Sequence, residues 1–110
     1  MQLEGPEWVV EDLAGRGIID RSRMTLEFGD GRVAGLASCN RYSAEWTSSG
    51  PGRMEVGGVV ATMRACAPSL MNQERHFLEL LERLEAFRFD ETGALLLRTS
   101  RGEVILARRP

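Results

Sequence analysis

The sequence predicts a single mainly β (β-rich α+β) domain over residues 1–110, in which seven or eight antiparallel strands form a partly open barrel with one helix packed across it. Three observations support this prediction. Apolar and polar residues alternate with a period of two over most of the chain, glycine-containing turns separate the alternating segments, and a single stretch changes to helical spacing. Closing the sheet would also protect its edge strands.

The first half of the chain contains the alternating segments. Asp30-Gly31 predicts a tight hairpin turn between the second and third of them, because this pair accepts the positive φ that such turns require. Gly57 and Gly58 interrupt a later segment and predict a bulge or sharp bend. The predicted strand segments are residues 8–13, 24–28, 32–37, 42–47, 54–56 and 59–63.

The periodicity then becomes helical from Pro68 or Ser69 to about Leu84, where apolar residues recur at spacings of three, four and seven. Pro68 suits a helix start, where its missing N–H costs nothing. A helix of about four turns is too short to cover both faces of an open sheet, which favours a barrel. Strands are predicted again at residues 87–89, 95–98 and 104–106. The bulky residues expected to fill the interior are Met24, Leu26, Phe28, Phe87 and Phe89.

Composition argues against several classes of function. The 14 basic residues are all arginine and face 16 acidic ones, so the net charge of −2 gives no general attraction to nucleic acid. Aromatic residues make up 6% of the chain, too few for a base-stacking surface. No apolar run is long enough to span a bilayer. We expect a monomer without nucleic-acid partners.

The first residues run almost directly into a strand-like segment, and we expect no signal peptide among them. We therefore expect either a cytoplasmic protein or, if an export signal has been removed, a protein of the cell envelope or periplasm. Membrane contact is expected only through such a removed signal or a lipid anchor.

The reactive side chains do not assemble into a catalytic or metal centre. Cys39, Cys66 and His76 are too few for a zinc site, and His76 falls on the charged side of the predicted helix. No metal, cofactor or enzymatic activity is expected. Two interpretations of the two cysteines remain open. In an oxidising compartment they would form a disulfide that adds about 3–4 kcal/mol to the free energy of unfolding, and in a reducing one they would be small buried thiols.

Glu74 lies inside the apolar stripe of the predicted helix. An isolated carboxylate is costly to bury, so it needs a charged partner or backbone donors. The candidates are Arg41, Arg64 and the N–H groups of the turn at Cys39 and Asn40. We expect Glu74 to tie the helix to that turn as a structural lock; a catalytic carboxylate is the alternative. Asn40 and Arg41 are expected to shape the turn, with polar binding as their alternative role.

Several motifs occur in an order that resembles the META domain family, of the HslJ-like kind. Gly35 through Trp46 (GLASCNRYSAEW) is similar to the family's glycine–cysteine–asparagine motif, and Ala61 through Cys66 (ATMRAC) to its second motif. The family's helix motif corresponds to Met71, Glu74, Phe77, Leu78 and Leu81. Its opening motif corresponds to Gly5 and Trp8, and its closing motif to Leu95, Leu97 and Gly102.

This sequence departs from the family pattern at a few positions. Ser38 and Ala44 stand where the family favours glycine, and Met63 and Arg64 are transposed.

The resemblance implies a lipocalin-like barrel, often found in bacterial envelope proteins and lipoproteins, and an association with heat shock and antibiotic tolerance. It pairs Cys39 with Cys66, which favours the disulfide. We expect a non-catalytic interaction or structural module; the alternative is a binder of a small apolar ligand or lipid in the barrel mouth. The motif residues expected to serve binding or the lock are Asn40, Arg41, Thr62, Arg64 and Glu74.

Overall fold

The computed structural model describes residues 2–110 and confirms the predicted fold class. Eight antiparallel strands form one curled half-barrel sheet, and a single helix packs against it. The elements are β1 (Glu7–Leu13), β2 (Thr25–Gly29), β3 (Arg32–Leu36), β4 (Arg41–Thr47), β5 (Glu55–Ala61), α1 (Pro68–Glu82), β6 (Leu84–Phe89), β7 (Leu95–Thr99) and β8 (Val104–Arg108).

The strand order β5-β4-β3-β2-β1-β8-β7-β6 makes β5 and β6 the edge strands of the sheet. The two edges meet only where β5 begins. There the Met54 N–H donates to the Glu85 carbonyl (3.0 Å), and the Phe87 N–H donates to the Gly52 carbonyl (2.9 Å). Beyond this contact β5 continues as a sheet edge with β4 as its only strand partner among residues 2–110.

The predicted bend at Gly57 and Gly58 is confirmed as a bulge within one continuous strand. The β4–β5 register shifts between Ser43 and Glu45, and Gly58 has a φ of 61°. Because glycine accepts this conformation without a steric cost, β5 changes direction here without ending. The two segments predicted around these glycines are therefore one strand, which ends at Ala61 rather than at Met63.

The interior of the half-barrel is filled by its own side chains. Met24, Leu26 and Phe28 are at most 1% exposed, as the alternation predicts, whereas Phe87 and Phe89 are half-buried and pack against the core from its margin. The helix contributes the buried residues Glu74, Phe77, Leu80 and Leu81. Within the described residues, no helix is both long and apolar enough to cross a membrane.

Gly35 marks a close approach between β2 and β3. A Cβ atom at this position would lie 2.5 Å from Thr25 Oγ1, so only glycine fits. Thr25 Oγ1 accepts a hydrogen bond from the Leu36 N–H (2.9 Å), and the Thr25 carbonyl accepts one from the Tyr42 hydroxyl (2.7 Å). Burial raises the pKa of Tyr42 far above its usual range, so the phenol stays a neutral donor.

Candidate functional site

Glu74 and Asn40 form a buried polar contact between α1 and the turn that precedes β4. Glu74 Oε1 accepts hydrogen bonds from the backbone N–H groups of Cys39 (3.1 Å) and Asn40 (2.7 Å). Glu74 Oε2 accepts a third from Asn40 Nδ2 (2.8 Å). The turn includes Ser38 at a φ of 85°, a conformation that favours glycine. This explains why the family motif that residues 35–46 resemble has glycine at this position.

The buried carboxylate is therefore held by neutral donors rather than by a cation. Glu74 is 6% exposed, and the three hydrogen bonds replace the water that it loses on burial. Arg41 and Arg64, the other partners considered from the sequence, are exposed and make no ion pair with it. The geometry is that of the expected lock between helix and turn.

The other end of the Asn40 side chain holds the segment that follows β5. Asn40 Oδ1 accepts from Thr62 Oγ1 (2.9 Å) and from the Arg64 N–H (2.7 Å), while Asn40 Nδ2 donates to the Arg64 carbonyl (3.2 Å). The N–H and C=O of Arg64 are thus bound by one side-chain amide, as a residue of a neighbouring strand would bind them.

Two hydrogen bonds between Arg41 and Thr62 lead up to this contact. The Thr62 N–H donates to the Arg41 carbonyl (3.0 Å), and the Arg41 N–H donates to Thr62 Oγ1 (3.1 Å). The Asn40 amide therefore continues the β4–β5 ladder past the end of β5.

A disulfide fastens the same segment a second time. Cys39 and Cys66 are bonded with their Cα atoms 6.2 Å apart, across a sequence separation of 27 residues. Of the two interpretations left by the sequence, the structure has the disulfide. The turn at residues 38–40 is therefore linked to the connection between β5 and α1 both covalently and by hydrogen bonds.

The segment held in this way is exposed and apolar. Val60 is 61% exposed and Met63 is 97% exposed, and the intervening Ala61 and Thr62 are also exposed. We call residues 59–64 the exposed edge. Met63 lies between two residues fixed by Asn40, so a large apolar side chain is displayed on an anchored backbone.

Comparison with known proteins agrees with these motifs. The family model of the META domain matches residues 1–110, the whole chain. The protein is a member of the META domain family. No protein with a curated description matches it.

Two solved structures share the fold of this META domain. An NMR structure of a protein from Burkholderia xenovorans superposes with a TM-score of 0.76 at 20% identity, covering 98% of this chain and 83% of that one. A second NMR structure gives a TM-score of 0.72 at 26% identity, covering 98% and 92%.

Gln73 is a member of the site that sequence analysis missed. Its Oε1 accepts from the Ile19 N–H (2.9 Å), and its Nε2 donates to the hydroxyls of Ser22 (2.9 Å) and Ser38 (3.2 Å). Gln73 thereby ties the loop after β1 to the same turn of the META domain. Its position next to Glu74 in the helix was the available signal, but a half-buried glutamine has no characteristic spacing.

The cysteine and histidine side chains lie at two places in the structure. Both cysteines are in the disulfide, and His76 lies in a surface groove with Leu13 and Ile18. Within residues 2–110, no group of three or more His, Cys, Asp or Glu side chains is placed to hold a metal ion. The arrangement is suited to holding backbone segments in fixed positions.

Proposed function

We propose that this META domain is a non-catalytic interaction module that binds a partner protein through the exposed edge, residues 59–64. The observation that carries the proposal is Met63, which is 97% exposed although Asn40 fixes the residues on both sides of it. A large apolar side chain held in water forgoes the stabilisation that burial would give, about 1.5–3 kcal/mol. Binding to a partner recovers it.

The surroundings of Met63 support the same proposal. Val60 and Ala61, within three residues of Met63 along the chain, are also exposed, so Met63 is not an isolated exposed apolar residue. Contiguous apolar patches on soluble domains commonly mark interaction sites. The disulfide and the Asn40 contacts reduce the conformational entropy that the edge would lose on binding, which favours affinity.

The alternative, a small apolar ligand or lipid in the barrel mouth, has weaker support. The interior positions are occupied by large side chains that are at most 1% exposed, among them Trp8, Phe28 and Phe77. A ligand would have to displace this packing, and close-packed cores resist such rearrangement. We therefore propose that the domain recognises its partner through the exposed edge rather than through the barrel interior.

We further propose an HslJ-like role in the cell envelope, connected with stress. The Cys39–Cys66 disulfide supports this location, because disulfides form and persist in oxidising compartments. A protein partner is favoured over nucleic acid because Arg64 is the only charged residue of the exposed edge.

The test uses the immobilised domain and an envelope extract of its source organism, followed by reconstitution with the purified partner. A partner retained by the wild-type domain should be lost by Met63→Asp. It should be kept by Ile19→Asp, a matched change at another exposed apolar residue, 37% exposed. Equal retention by all three proteins would contradict the proposal.

Native mass spectrometry distinguishes the proposed function from the alternative, binding of a small apolar ligand. A small molecule that co-purifies with the wild-type domain and leaves on denaturation would favour the ligand-binding function instead.

A further inference from the structure

We infer that the partner supplies an extended strand that pairs with the exposed edge through Ala61 and Met63 and directs a carboxylate towards Arg64. This inference rests on the proposed function and specifies how the partner binds. The partner is a segment of another protein in β conformation, with an acidic residue near the Arg64 end.

The inference starts from the direction in which the backbone N–H and C=O groups of residues 61–64 point. The Thr62 N–H donates to the Arg41 carbonyl of β4, and the Asn40 amide binds both the N–H and the C=O of Arg64. These backbone groups of Thr62 and Arg64 therefore point to the β4 side. Successive residues of an extended strand alternate between its two sides. Ala61 and Met63 therefore direct their N–H and C=O groups away from β4, where the sheet has no further strand.

These outward groups have no partner within the described part of the chain. The backbone of Met63 takes part in none of the hydrogen bonds found among residues 2–110. Ala61 pairs with Tyr42 in the register of β4 and β5, at a position adjacent to the hydrogen-bonded Thr62–Arg41 pair. An incoming strand would satisfy both residues.

The exposed edge also lacks features that normally prevent strand addition. Natural edge strands are protected by lysine, proline, inward charges or bulges. No charged residue and no proline lies between Glu55 and Arg64. The bulge lies between Gly57 and Val60, at the start of the exposed edge, and Ala61 and Met63 lie beyond it. The Asn40 contacts hold the residues on both sides of Met63. An accessible edge of this kind is the surface that strand-adding partners recognise.

The charges at the two ends indicate the chemistry of the partner. Arg41 and Arg64 are exposed at the end of the edge, and neither joins any of the four ion pairs found among residues 2–110. Glu45 and Glu55 lie at the opposite end. A free guanidinium binds a carboxylate with paired hydrogen bonds, so an acidic residue of the partner belongs beside Arg64.

In the register centred on Ala61, a second copy of this chain does not supply the carboxylate. Antiparallel pairing of two copies centred on Ala61 would place Arg64 opposite Gly58, which supplies no carboxylate. Self-association is therefore an outcome that would contradict the inference.

The experiment begins with a phage-displayed library of random ten-residue peptides selected on the oxidised wild-type domain. Selected peptides are synthesised and titrated into ¹⁵N-labelled protein. We expect alternating β-branched residues with an Asp or Glu near one end, and slower amide exchange at Ala61 and Met63 in the complex. Binding elsewhere, a helical bound peptide, no peptide above background, or a domain dimer would overturn the inference.

Two kinds of variant separate backbone pairing from charge. Met63→Pro removes an outward N–H donor outside the regular strand, and we expect it to weaken binding about tenfold while the circular dichroism stays unchanged. Arg64→Glu should weaken binding at least as much, whereas Arg88→Glu, an exposed arginine on β6, should leave it unchanged. Equal affinities of Arg64→Glu and wild type would overturn the charge assignment.

Ala61→Pro supplies a second position for the backbone test if Met63→Pro fails to fold. Loss of the native partner with Met63→Asp but not with either proline variant would overturn strand pairing while leaving the proposed function in place. If neither Met63→Asp nor the proline variants lose the native partner, the proposed function itself is contradicted.

Discussion

The β-hairpin turns and the turn at residues 38–40 hold the chain in two different ways. In the β2–β3 hairpin, Asp30 and Gly31 adopt φ values of 52° and 75°, and the turn is complete within neighbouring residues. The turn at residues 38–40 depends instead on Glu74, 34 positions beyond Asn40 in the chain.

The difference has consequences for folding. A hairpin turn can form as soon as its own strands pair, whereas the contacts of Asn40 and Glu74 exist only after α1 docks against the sheet. Single substitutions around Asn40 should therefore cost more stability than substitutions in the hairpin turns.

Removal of the disulfide is expected to have the largest effect. The double variant Cys39→Ser/Cys66→Ser should lower the free energy of unfolding by about 3–4 kcal/mol, because the bond closes a long loop in the unfolded chain. Urea denaturation monitored by tryptophan fluorescence measures this change. Reductant should destabilise the wild type and leave the double variant unaffected; equal stability of the oxidised wild type and the variant would contradict the prediction.

Asn40→Ala should come second, with a loss of about 3 kcal/mol. The substitution removes the side-chain hydrogen bonds to Thr62, Arg64 and Glu74 and leaves buried polar atoms without partners. Thermal and urea unfolding of the oxidised protein provide the measurement. The matched control is Asn72→Ala on the exposed side of α1, which removes the hydrogen bond from Arg75 and no other side-chain hydrogen bond found among residues 2–110. Similar losses for the two variants would refute the special role of Asn40.

Glu74→Gln should cost about 2 kcal/mol, although it preserves the size of the side chain. Its Oε1 can still accept from the Cys39 and Asn40 N–H groups, but its Nε2 then faces Asn40 Nδ2, donor against donor. Urea denaturation beside the exposed control Glu79→Gln on the same helix checks this. Unchanged stability of Glu74→Gln would contradict the proposal that Glu74 locks α1 to the turn at residues 38–40.

The smallest effect belongs to the Asp90 turn between β6 and β7. A hydrogen bond from the Thr92 side chain, followed by backbone donors at Ala94 and Thr92, holds the pKa of Asp90 below its usual value. Its contribution to stability should be present above the unfolded-state pKa, about 3.9, and disappear as the pH falls through the lower folded-state pKa. The stability difference between wild type and Asp90→Asn should vanish in acid; a difference that persists there would contradict this linkage.

The sequence allowed prediction of features whose cause is local. Alternation located the strands, Asp30-Gly31 located a hairpin, and Gly57-Gly58 located the bulge, because each depends on adjacent residues. Glu74 was predicted to contact the turn because its place in the apolar stripe demanded a partner.

Other features depend on tertiary contacts that have no sequence period. Met63 was predicted to belong to a strand, yet β5 ends at Ala61 and a side-chain amide replaces the missing strand partner. Asn40 was recognised as a turn residue, but its second role requires Arg64, 24 positions away. Exposure of Met63 could not be inferred either, since an apolar residue next to a strand is usually buried.

The most direct test of the anchored edge is the backbone mobility of Met63, measured as the ¹H–¹⁵N heteronuclear NOE of its amide in the oxidised domain. We expect a value equal to those of β4 residues such as Ser43, because Asn40 and the disulfide hold the segment. We also expect a marked decrease in Asn40→Ala. A low value in the wild type, close to that of the chain terminus, would contradict the claim that this META domain presents an anchored, exposed edge.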